Sequence, residues 1–231
     1  MTDYPMSAKV AMVAGGGGSL GRATAVNLAA RGLTVVAVDR NEQALGQLPD
    51  NIVREVSDTT DPNAARSLVD RIAAEVGPPG ILVNTIGTFG LGDALSATPA
   101  DLQRMVDINL GTALWLSQAV APHMQRAGAG AIVHVTARPA LEPTGGMAAY
   151  SVSKAALAHL TRILDVEFRP HGIRVNAIAP QLIDTPANRA ALPAEAMANA
   201  TAPEAIAEII AFLVSDAAAP VSGAILPAYG A

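Results

Sequence analysis

Short apolar segments alternate with amphipathic segments along most of the chain. The segment KVAMVAGG is apolar and ends in glycines, and the segment LGRATAVNLAARG that follows it places Leu20, Ala23 and Val26 at helical spacing before Gly32. The next segment, LTVVAVD, has the continuous apolar character of a buried strand. This order of strand, glycine-rich turn, helix and strand predicts a βαβ unit.

The same alternation continues toward the C-terminus. Asp61 and Thr98 are predicted to cap two later helices, because a side-chain oxygen at that position accepts from the free N–H groups of the first turn. Strands separated by helices form a parallel sheet covered on both faces, so the sequence predicts an α/β fold, with one domain over residues 1–231 and a doubly wound parallel sheet of about seven strands. The remaining strands are predicted at NIVREV, GILVNTIG, AIVHVT, IRVNAIA and near residues 224–226, and the remaining helices at DPNAARSLVDRIAAEVG, about 99–125, about 148–168 and PEAIAEIIAFLVSD.

The glycine-rich turn AGGGGSLG, residues 14–21, lies between the first predicted strand and the first predicted helix. Ligands of an open α/β sheet bind beyond the carboxyl ends of its strands. Glycines at this position let the backbone approach a pyrophosphate, which the free N–H groups and the dipole of the helix attract. The turn therefore predicts a dinucleotide site, the alternative being an ordinary flexible turn.

Asp39 ends the second predicted strand, about twenty residues after the glycine turn. A carboxylate at this position accepts from both ribose hydroxyls of an adenosine and repels a 2′-phosphate, which favours NAD over NADP. The neighbouring Arg40 is either a solvated surface charge or a guanidinium that reaches such a phosphate, so NADP is not excluded.

Composition and charge argue against several classes of partner. Apolar residues make up 51% of the 231 residues, but none of the apolar runs approaches the roughly 18 residues that span a membrane. A segment typical of a signal peptide is not found before the first strand. The net charge of −5 disfavours nucleic acid, and the absence of cysteine together with the spacing of the four histidines predicts no metal site. We expect a soluble, cytoplasmic protein.

The segment YSVSK carries a second candidate site. It places Tyr150 and Lys154 one helical turn apart, on the same face. A tyrosine acts as an acid or base near neutral pH only if adjacent positive charge stabilises its phenolate, and Lys154 supplies that charge. The only other lysine among the 15 basic residues is Lys9, so this chain otherwise uses arginine. The pair predicts proton transfer, the alternative being an exposed helical pair.

The motifs resemble those of the short-chain dehydrogenase/reductase family over almost the whole chain. The glycine motif of the family falls on Ala14, Gly15, Ser19 and Gly21, with Ser19 in place of a glycine, and its Tyr-x-x-x-Lys motif falls on Tyr150 and Lys154. The resemblance implies a Rossmann-type fold, a nicotinamide cofactor and transfer of a hydride to or from a small-molecule substrate.

The same resemblance implies further site residues. Asn109 in DINLG matches the helical asparagine that anchors a proton-passing water in the family, and Ile183 and Thr185 lie in APQLIDT, similar to the segment that holds the nicotinamide carboxamide. The implied catalytic residues are Tyr150, Lys154 and Asn109, and the implied cofactor-binding residues are Gly15, Gly18, Ser19, Leu20, Gly21, Asp39, Arg40, Glu55, Val56, Asn84, Gly87, Tyr150, Lys154, Ile183 and Thr185.

One position departs from the family pattern in a way that bears on the reaction. The catalytic serine of the family precedes the tyrosine by thirteen positions, where this chain has Ala137. Thr136 is adjacent, but it faces the other side of the strand unless the strand end bends or bulges. Arg138 is also adjacent and either reaches the mouth of the site or lies on the surface.

A narrower resemblance accounts for the alanine. The segments ALEPTGGMAAYSVSKAAL and IDTPANRAALPAEA are similar to those of quinonoid dihydropteridine reductases, which use NADH, keep Tyr-x-x-x-Lys and lack the serine. A quinonoid or imine acceptor delocalises the added electrons, and a ketone instead builds charge on one oxygen. The alanine therefore bears on the class of substrate.

Three functional hypotheses follow. The first is an NADH-preferring oxidoreductase acting on a small carbonyl, alcohol, imine or quinonoid compound, with Tyr150 as acid/base. The second is reduction of a quinonoid dihydropteridine. The third, of another class, is a cofactor-binding protein without catalytic activity, suggested by Ala137. By resemblance, GTALWLSQAVA and MAAYSVSKAALAHL pack into a homotetramer or a homodimer.

Overall fold

In residues 6–230, which the computed structural model of the protein describes, seven strands form one sheet. They are β1 (Val10–Ala14), β2 (Thr34–Asp39), β3 (Val53–Val56), β4 (Ile81–Asn84), β5 (Gly130–Val135), β6 (Ile173–Pro180) and β7 (Ile225–Ala228). All are parallel and lie in the order β3-β2-β1-β4-β5-β6-β7, so β1 pairs with both β2 and β4. The predicted α/β fold with a doubly wound parallel sheet is confirmed.

Helices cover both faces of this sheet. They are α1 (Ser19–Ala30), α2 (Glu42–Leu45), α3 (Pro62–Glu75), α4 (Pro99–Val106), α5 (Thr112–Ala127), α6 (Ala148–Phe168), α7 (Pro186–Ala191), α8 (Ala194–Met197) and α9 (Pro203–Val214). A π-helical turn (Asp107–Gly111) joins α4 to α5, and 3-10 turns lie at Arg138–Ala140, Arg169–His171 and Asp216–Ala218. In the described part of the chain, none of the helices is long and apolar enough to cross a membrane.

Two hydrophobic cores lie on the opposite faces of the sheet. Successive strand residues point to opposite sides, so Ala11 and Val13 of β1 pack with α1 and α9, whereas Val10 and Met12 pack with α3 and α5. Because both faces are buried, the central strands consist almost wholly of apolar residues.

The predicted helix caps are confirmed. Asp61 accepts from the backbone N–H of Asn63 at the start of α3, and Thr98 forms a capping box with Asp101 at the start of α4. The apolar spacing within α1 does not coincide with its buried face, because Val26 is 41% exposed and Thr24 is fully buried. The hydroxyl of Thr24 donates to the carbonyl of Leu20, which satisfies it inside the core.

The prediction of one unbroken helix over about residues 99–125 is wrong. The π-helical turn interrupts it, and the two α-helical parts end at Val106 and begin at Thr112. Such turns place an extra residue in the helix, and they often occur at functional sites. Here the turn contains Asn109, which is fully buried.

Candidate active site

A cavity of about 260 Å³ lies beyond the carboxyl ends of β1, β2 and β4. Here the chain connections diverge, because β2 lies on one side of β1 and β4 on the other. Dinucleotides bind in open parallel sheets at such a point. The cavity is lined by Gly15, Gly18, Asp39, Arg40, Ser57, Asp58, Thr59, Thr60, Thr85, Ile86, Gly87, Thr88, Ile108 and Thr112.

The glycine turn is packed too closely to accept side chains at two positions. Gly15 has φ +79°, and a Cβ on Gly21 would lie 2.0 Å from the carbonyl oxygen of Gly15. The N-cap of α1 is Gly18, which provides no side-chain acceptor for the N–H groups of the first turn. Free N–H groups at the start of α1 therefore face the cavity side of the turn, where an anion is favoured.

Asp39 joins the end of β2 to the glycine turn. Its carboxylate accepts from the backbone N–H of Gly17 at 3.1 Å and of Asn41 at 3.0 Å. Nearby, hydrogen bonds from the side chain and backbone of Thr60 lower the pKa of Asp58, and the charge of Arg40 lowers it further. The lining of the cavity thus includes two carboxylates, those of Asp39 and Asp58, and the guanidinium of Arg40.

Two predicted cofactor contacts lie outside this cavity. Glu55 lies on β3 and its carboxylate is 2.6 Å from the guanidinium of Arg71, while Val56 is 51% exposed. The cavity is instead lined by the next residues, Ser57 to Thr60. β3 ends at Val56, and the chain turns into the cavity only after the strand.

The loop after β4 shows different roles for its two predicted residues. Asn84 is 1% exposed, and its side chain accepts from the N–H of Ile86 at 3.1 Å and points its amide toward Thr112. It shapes the loop and does not line the cavity. Gly87 does line it, and a Cβ there would lie 2.9 Å from Nζ of Lys154. Gly87 therefore leaves room for the lysine.

Lys154 is buried at the first turns of α6. Its Nζ donates to the carbonyl of Val135 at 2.9 Å, and burial lowers its pKa to about 8. The ring of Tyr150 meets the ring of Phe89 edge to face, with the centroids 5.0 Å apart, and burial raises the pKa of Tyr150 to about 12. Among the described residues the Tyr150 hydroxyl has no hydrogen bond to Lys154. At neutral pH the phenol is thus protonated and the lysine is mainly charged.

Asn109 ties the loop after β4 to α6. Its Oδ1 accepts from the N–H of Thr88 at 2.8 Å, and its Nδ2 donates to the carbonyl of Thr88 at 3.0 Å and to the hydroxyl of Ser153 at 2.9 Å. The Ser153 hydroxyl in turn donates to the carbonyl of Tyr150. Both amide hydrogens of Asn109 are therefore used within the protein, and they fix the position of the Tyr150 turn.

Ala137 lies at the end of β5, 5% exposed and in extended conformation. The pairing with β6 continues regularly, since Thr136 N donates to the carbonyl of Ile178 at 2.8 Å. The hydroxyl of Thr136 donates to the backbone carbonyl of Lys154 at 2.8 Å, on the side of α6. Without a bulge, Thr136 does not take the place of the missing serine hydroxyl.

Arg138 turns toward two neighbouring strand ends. Its guanidinium bonds to Glu142 and to Gln181 and lies over the ring of Tyr229. Sequence reasoning singled out Arg138 but not these three partners. Glu142 is local, four residues after Arg138, whereas Gln181 and Tyr229 lie far away in the sequence, and only the sheet order, which places β5, β6 and β7 side by side, brings them to Arg138.

The predicted carboxamide segment is held mainly by its own contacts. Ile183 forms a bridge with Thr201, and Thr185 caps α7 by accepting from the N–H of Asn188 at 3.1 Å. Asn188 also donates to the carbonyl of Ile183. Neither predicted residue lines the cavity, and the segment leads from β6 into α7 and α8, two short helices absent from the sequence prediction.

Comparisons with known proteins agree with this geometry. The family model described as short chain dehydrogenase matches residues 9–196. Galactitol 2-dehydrogenase of Rhizobium johnstonii is 38% identical, covering 96% of this chain and 94% of the relative, and cis-4-hydroxycyclohexanecarboxylate dehydrogenase of Sinomonas cyclohexanicum is 38% identical, covering 96% and 95%. The structure of L-sorbose reductase from Gluconobacter frateurii, complexed with NADPH and L-sorbose, matches with a TM-score of 0.91 at 26% identity, covering 99% and 98%.

The sheet order, the glycine turn, the half-buried Tyr150 and the buried Lys154 define an oxidoreductase of the nicotinamide-binding class. With the comparisons, the chain belongs to the short-chain dehydrogenase/reductase family. Use of NAD or NADP as cofactor follows from this membership.

Proposed function

We propose that the protein transfers a hydride between a nicotinamide cofactor, with NADH preferred, and a small alcohol or carbonyl compound, and that Tyr150 is its acid/base. The observation that carries this proposal is the pair at the start of α6, the half-buried Tyr150 and the buried Lys154, beside a glycine-lined cavity at the divergence point of the sheet. The names of the two dehydrogenases reported above support an alcohol as one of the substrate forms.

The residues of the cavity fit a dinucleotide. The close approach of Gly15 and Gly21 leaves the start of α1 open to a pyrophosphate, and Ser19 and Leu20 supply N–H groups of its first turn. Asp39 would accept from the adenosine ribose, and Lys154, next to Gly87, would donate to the nicotinamide ribose. When bound, the cofactor supplies or accepts the hydride. Ile183 and Thr185 would close the site at the nicotinamide end.

Tyr150 carries the proton. In the reductive direction its O–H gives a proton to the substrate oxygen as the carbonyl carbon receives the hydride, and in the oxidative direction the phenolate takes that proton back. Burial raises the pKa of Tyr150, so the phenol is protonated at neutral pH and its phenolate needs positive charge beside it. The ammonium of Lys154 stabilises the phenolate that forms, and Asn109 fixes the helical turn that carries Tyr150.

The preference for NADH rests on charge. Asp39 and Asp58 place two carboxylates at the adenosine end, and the charge of Arg40 acts on Asp58. A 2′-phosphate would meet more negative than positive charge there. Tighter binding of NADPH than of NADH would contradict this part of the proposal.

A second candidate is reduction of a quinonoid dihydropteridine. The observation that favours it is Ala137, which leaves the substrate oxygen without the serine hydroxyl. Loss of one donor aimed at a developing oxyanion costs about 10²–10³ in rate. A quinonoid acceptor spreads the added electrons over a ring and needs that donor less.

The test is turnover by the parent and by Tyr150→Phe, which removes only the hydroxyl. Oxidation of NADH is measured with ketones, quinones and quinonoid dihydropteridine, and reduction of NAD with alcohols. We expect the best rate to fall about 10²–10⁴-fold in Tyr150→Phe, with NADH binding retained in calorimetry. An equal rate would refute the role of Tyr150. A parent that binds NADH but turns over none of the substrates would be a cofactor-binding protein without catalytic activity.

We also propose a homotetramer. The outer face of α6 exposes large apolar side chains, with Val152 58%, Ile163 41% and Val166 71% exposed, and Leu102 of α4 is 43% exposed. Association through these helices would bury that surface. Sedimentation equilibrium of the parent and of a Val152→Glu, Val166→Glu double variant checks this, with the variant expected to give smaller species.

A further inference from the structure

Four polar side chains meet at the carboxyl ends of β5, β6 and β7. Arg138 follows Ala137, Gln181 directly follows β6, and Tyr229 directly follows β7, while Glu142 lies one turn after Arg138. We call these residues the Arg138 cluster. The 3-10 turn that starts at Arg138 packs against α6, the helix that carries Tyr150. The cluster therefore borders the substrate side of the site, on the opposite half of the sheet from Asp39.

The cluster is held in a fixed arrangement. Nε and Nη2 of Arg138 are each 2.7 Å from Oε2 of Glu142, and Nη1 donates to Oε1 of Gln181 at 2.9 Å. Cζ of Arg138 lies 4.8 Å from the centroid of the Tyr229 ring. Burial, and then the charge and hydrogen bonding of Glu142, raise the pKa of Tyr229. A guanidinium bonded on two edges and stacked on one face has little freedom to move.

Hydrogen-bonding groups remain available on the same residues. A guanidinium has five N–H donors, of which three are used by these contacts, and the amide of Gln181 keeps its two N–H donors. Glu142 bonds to Arg138 and Tyr229, but a carboxylate has about four lone-pair sites and so can accept a further hydrogen bond. The side chains of Arg138 and Glu142 are 39% and 50% exposed, so a ligand can reach them. The cluster presents both donors and acceptors.

The charges of this half of the site are balanced. Arg138 pairs with Glu142, Arg189 pairs with Asp184 on the segment after β6, and Lys154 is buried against the carbonyl of Val135. An anionic substrate calls for a cation that is not already neutralised by an acid. The described residues around this end of the sheet offer instead paired charges, which suit the hydroxyl group, because a hydroxyl both donates and accepts.

We infer that the Arg138 cluster binds an uncharged substrate with several hydroxyl groups, a sugar alcohol in the oxidative direction or the matching ketose in the reductive one. One hydroxyl meets Arg138 and Glu142 and another meets the amide of Gln181, while the reacting carbon lies at Tyr150. The exposed ring of Phe89, which meets the ring of Tyr150 edge to face, offers an apolar surface to the C–H groups of such a chain. This inference rests on the proposed function.

The test compares three alcohols with NAD: galactitol as a polyol, cyclohexanol as an alcohol without further polar groups, and cis-4-hydroxycyclohexanecarboxylate as an anion. The ratio of kcat/KM for galactitol to that for cyclohexanol is measured in the parent, Arg138→Leu, Arg138→Lys and Gln181→Leu. Arg126→Leu is the matched control, because Arg126 is exposed in the last turn of α5. Thermal unfolding of every variant separates lost binding from lost folding.

We expect the parent to prefer galactitol, and the ratio to fall tenfold or more in Arg138→Leu and Gln181→Leu, mainly through KM. Arg138→Lys should lose a large part of the ratio, since a lysine cannot bond to Glu142 and Gln181 with the same planar geometry. Arg126→Leu should keep the parental ratio. A parent that oxidises cyclohexanol but not galactitol, or that prefers the carboxylate through Arg138, overturns the inference and leaves the proposed function intact. Absence of turnover with all three alcohols overturns the inference, and it overturns the proposed function as well only if the ketones and quinones tested with NADH are not reduced either.

Discussion

The backbone N–H of Gly17 lies 3.1 Å from Oδ2 of Asp39, so the glycine turn and the end of β2 form one continuous surface. The carboxylate is held in place from a second side by the N–H of Asn41. Asp39 is therefore positioned before a ligand binds, which reduces the ordering cost of binding a ribose. This relationship makes Asp39 the residue whose substitution best separates the two cofactors.

Asp39→Asn is expected to weaken NADH binding by about tenfold, because a hydrogen bond to a charged acceptor contributes about 1.5–3 kcal/mol. NADPH binding should weaken less or improve, since the repulsion of a 2′-phosphate is removed. Calorimetric titration of both cofactors measures the two changes. Arg40→Leu is the companion variant, and a larger effect of Arg40→Leu on NADPH than of Asp39→Asn on either cofactor would contradict the assignment.

The glycine turn contains two glycines, Gly21 and Gly18, with different amounts of space for a side chain. A Cβ at Gly21 would lie 2.0 Å from the carbonyl oxygen of Gly15, whereas the nearest atom to a Cβ at Gly18 is 3.3 Å away. Gly21→Ala should therefore displace the turn and lower NADH affinity by tenfold or more, and Gly18→Ala should fold normally with a smaller change in affinity. Fluorescence titration with NADH compares them. Equal affinities of the two variants would show that the turn tolerates the displacement.

The sequence predicts the elements that local rules define. The N-caps Asp61 and Thr98 and the bounds of α6 follow from side-chain chemistry and periodicity over a few residues. The π-helical turn around Asn109 is not predictable in this way, because the apolar pattern runs through it without a break and its cause is tertiary, the bonds of Asn109 to Thr88 and Ser153.

The same limit applies to the candidate site. Tyr150, Lys154 and the glycine turn form local motifs, and the structure brings them to the same edge of the sheet. The contacts that give other residues their roles are long-range. Asp58 could have been found in the sequence by continuing past the end of β3. Two partners of Arg138, Gln181 and Tyr229, come from the ends of β6 and β7, which only the sheet order places beside it.

Asn109→Ala should destabilise the protein by about 2–4 kcal/mol, since it removes three hydrogen bonds of a buried side chain and leaves the N–H and carbonyl of Thr88 without that partner. Urea unfolding in the absence of cofactor measures this change. Asn188→Ala is the comparison. The side chain of Asn188 is half-buried and donates to the carbonyl of Ile183, so its removal should lower the free energy of unfolding less. A loss below about 1 kcal/mol in Asn109→Ala would contradict the role of Asn109 as the link between the β4 loop and α6.

Lys154 should give the stability a characteristic pH dependence. Burial lowers its pKa from 10.5 to about 8, so between these values the unfolded chain binds a proton that the folded chain does not. Stability from this group therefore rises with pH over that interval. The contribution of Tyr150 to the free energy of unfolding changes with pH in the opposite direction. Its pKa rises from 10.0 to about 12, so this contribution falls with pH, and only above pH 10.

The Lys154→Met variant gives the contribution of the Lys154 ammonium to this pH dependence. The free energy of unfolding of the parent, relative to Lys154→Met, should increase from pH 7.5 to pH 9.5 in urea titrations without cofactor. Lys9→Met is the matched control, because Lys9 is exposed and is the only other lysine of the chain. A difference between parent and Lys154→Met that stays constant with pH would mean that the ammonium is solvated in the folded state.

Ala137→Ser should raise ketone reduction about tenfold to a hundredfold, because it restores a hydroxyl where Ala137 leaves the developing oxyanion without a donor. Reduction of a quinonoid dihydropteridine should change little, since charge is delocalised in that acceptor. Ala140→Ser, the same chemical change in the adjacent 3-10 turn, serves as control and should leave both rates as they are. Initial rates with NADH are measured on both substrates. An unchanged ketone rate in Ala137→Ser would mean that another donor already bonds to the substrate oxygen. The N–H groups of the Arg138 cluster that make no bond within the protein would then be the first donors to remove by substitution.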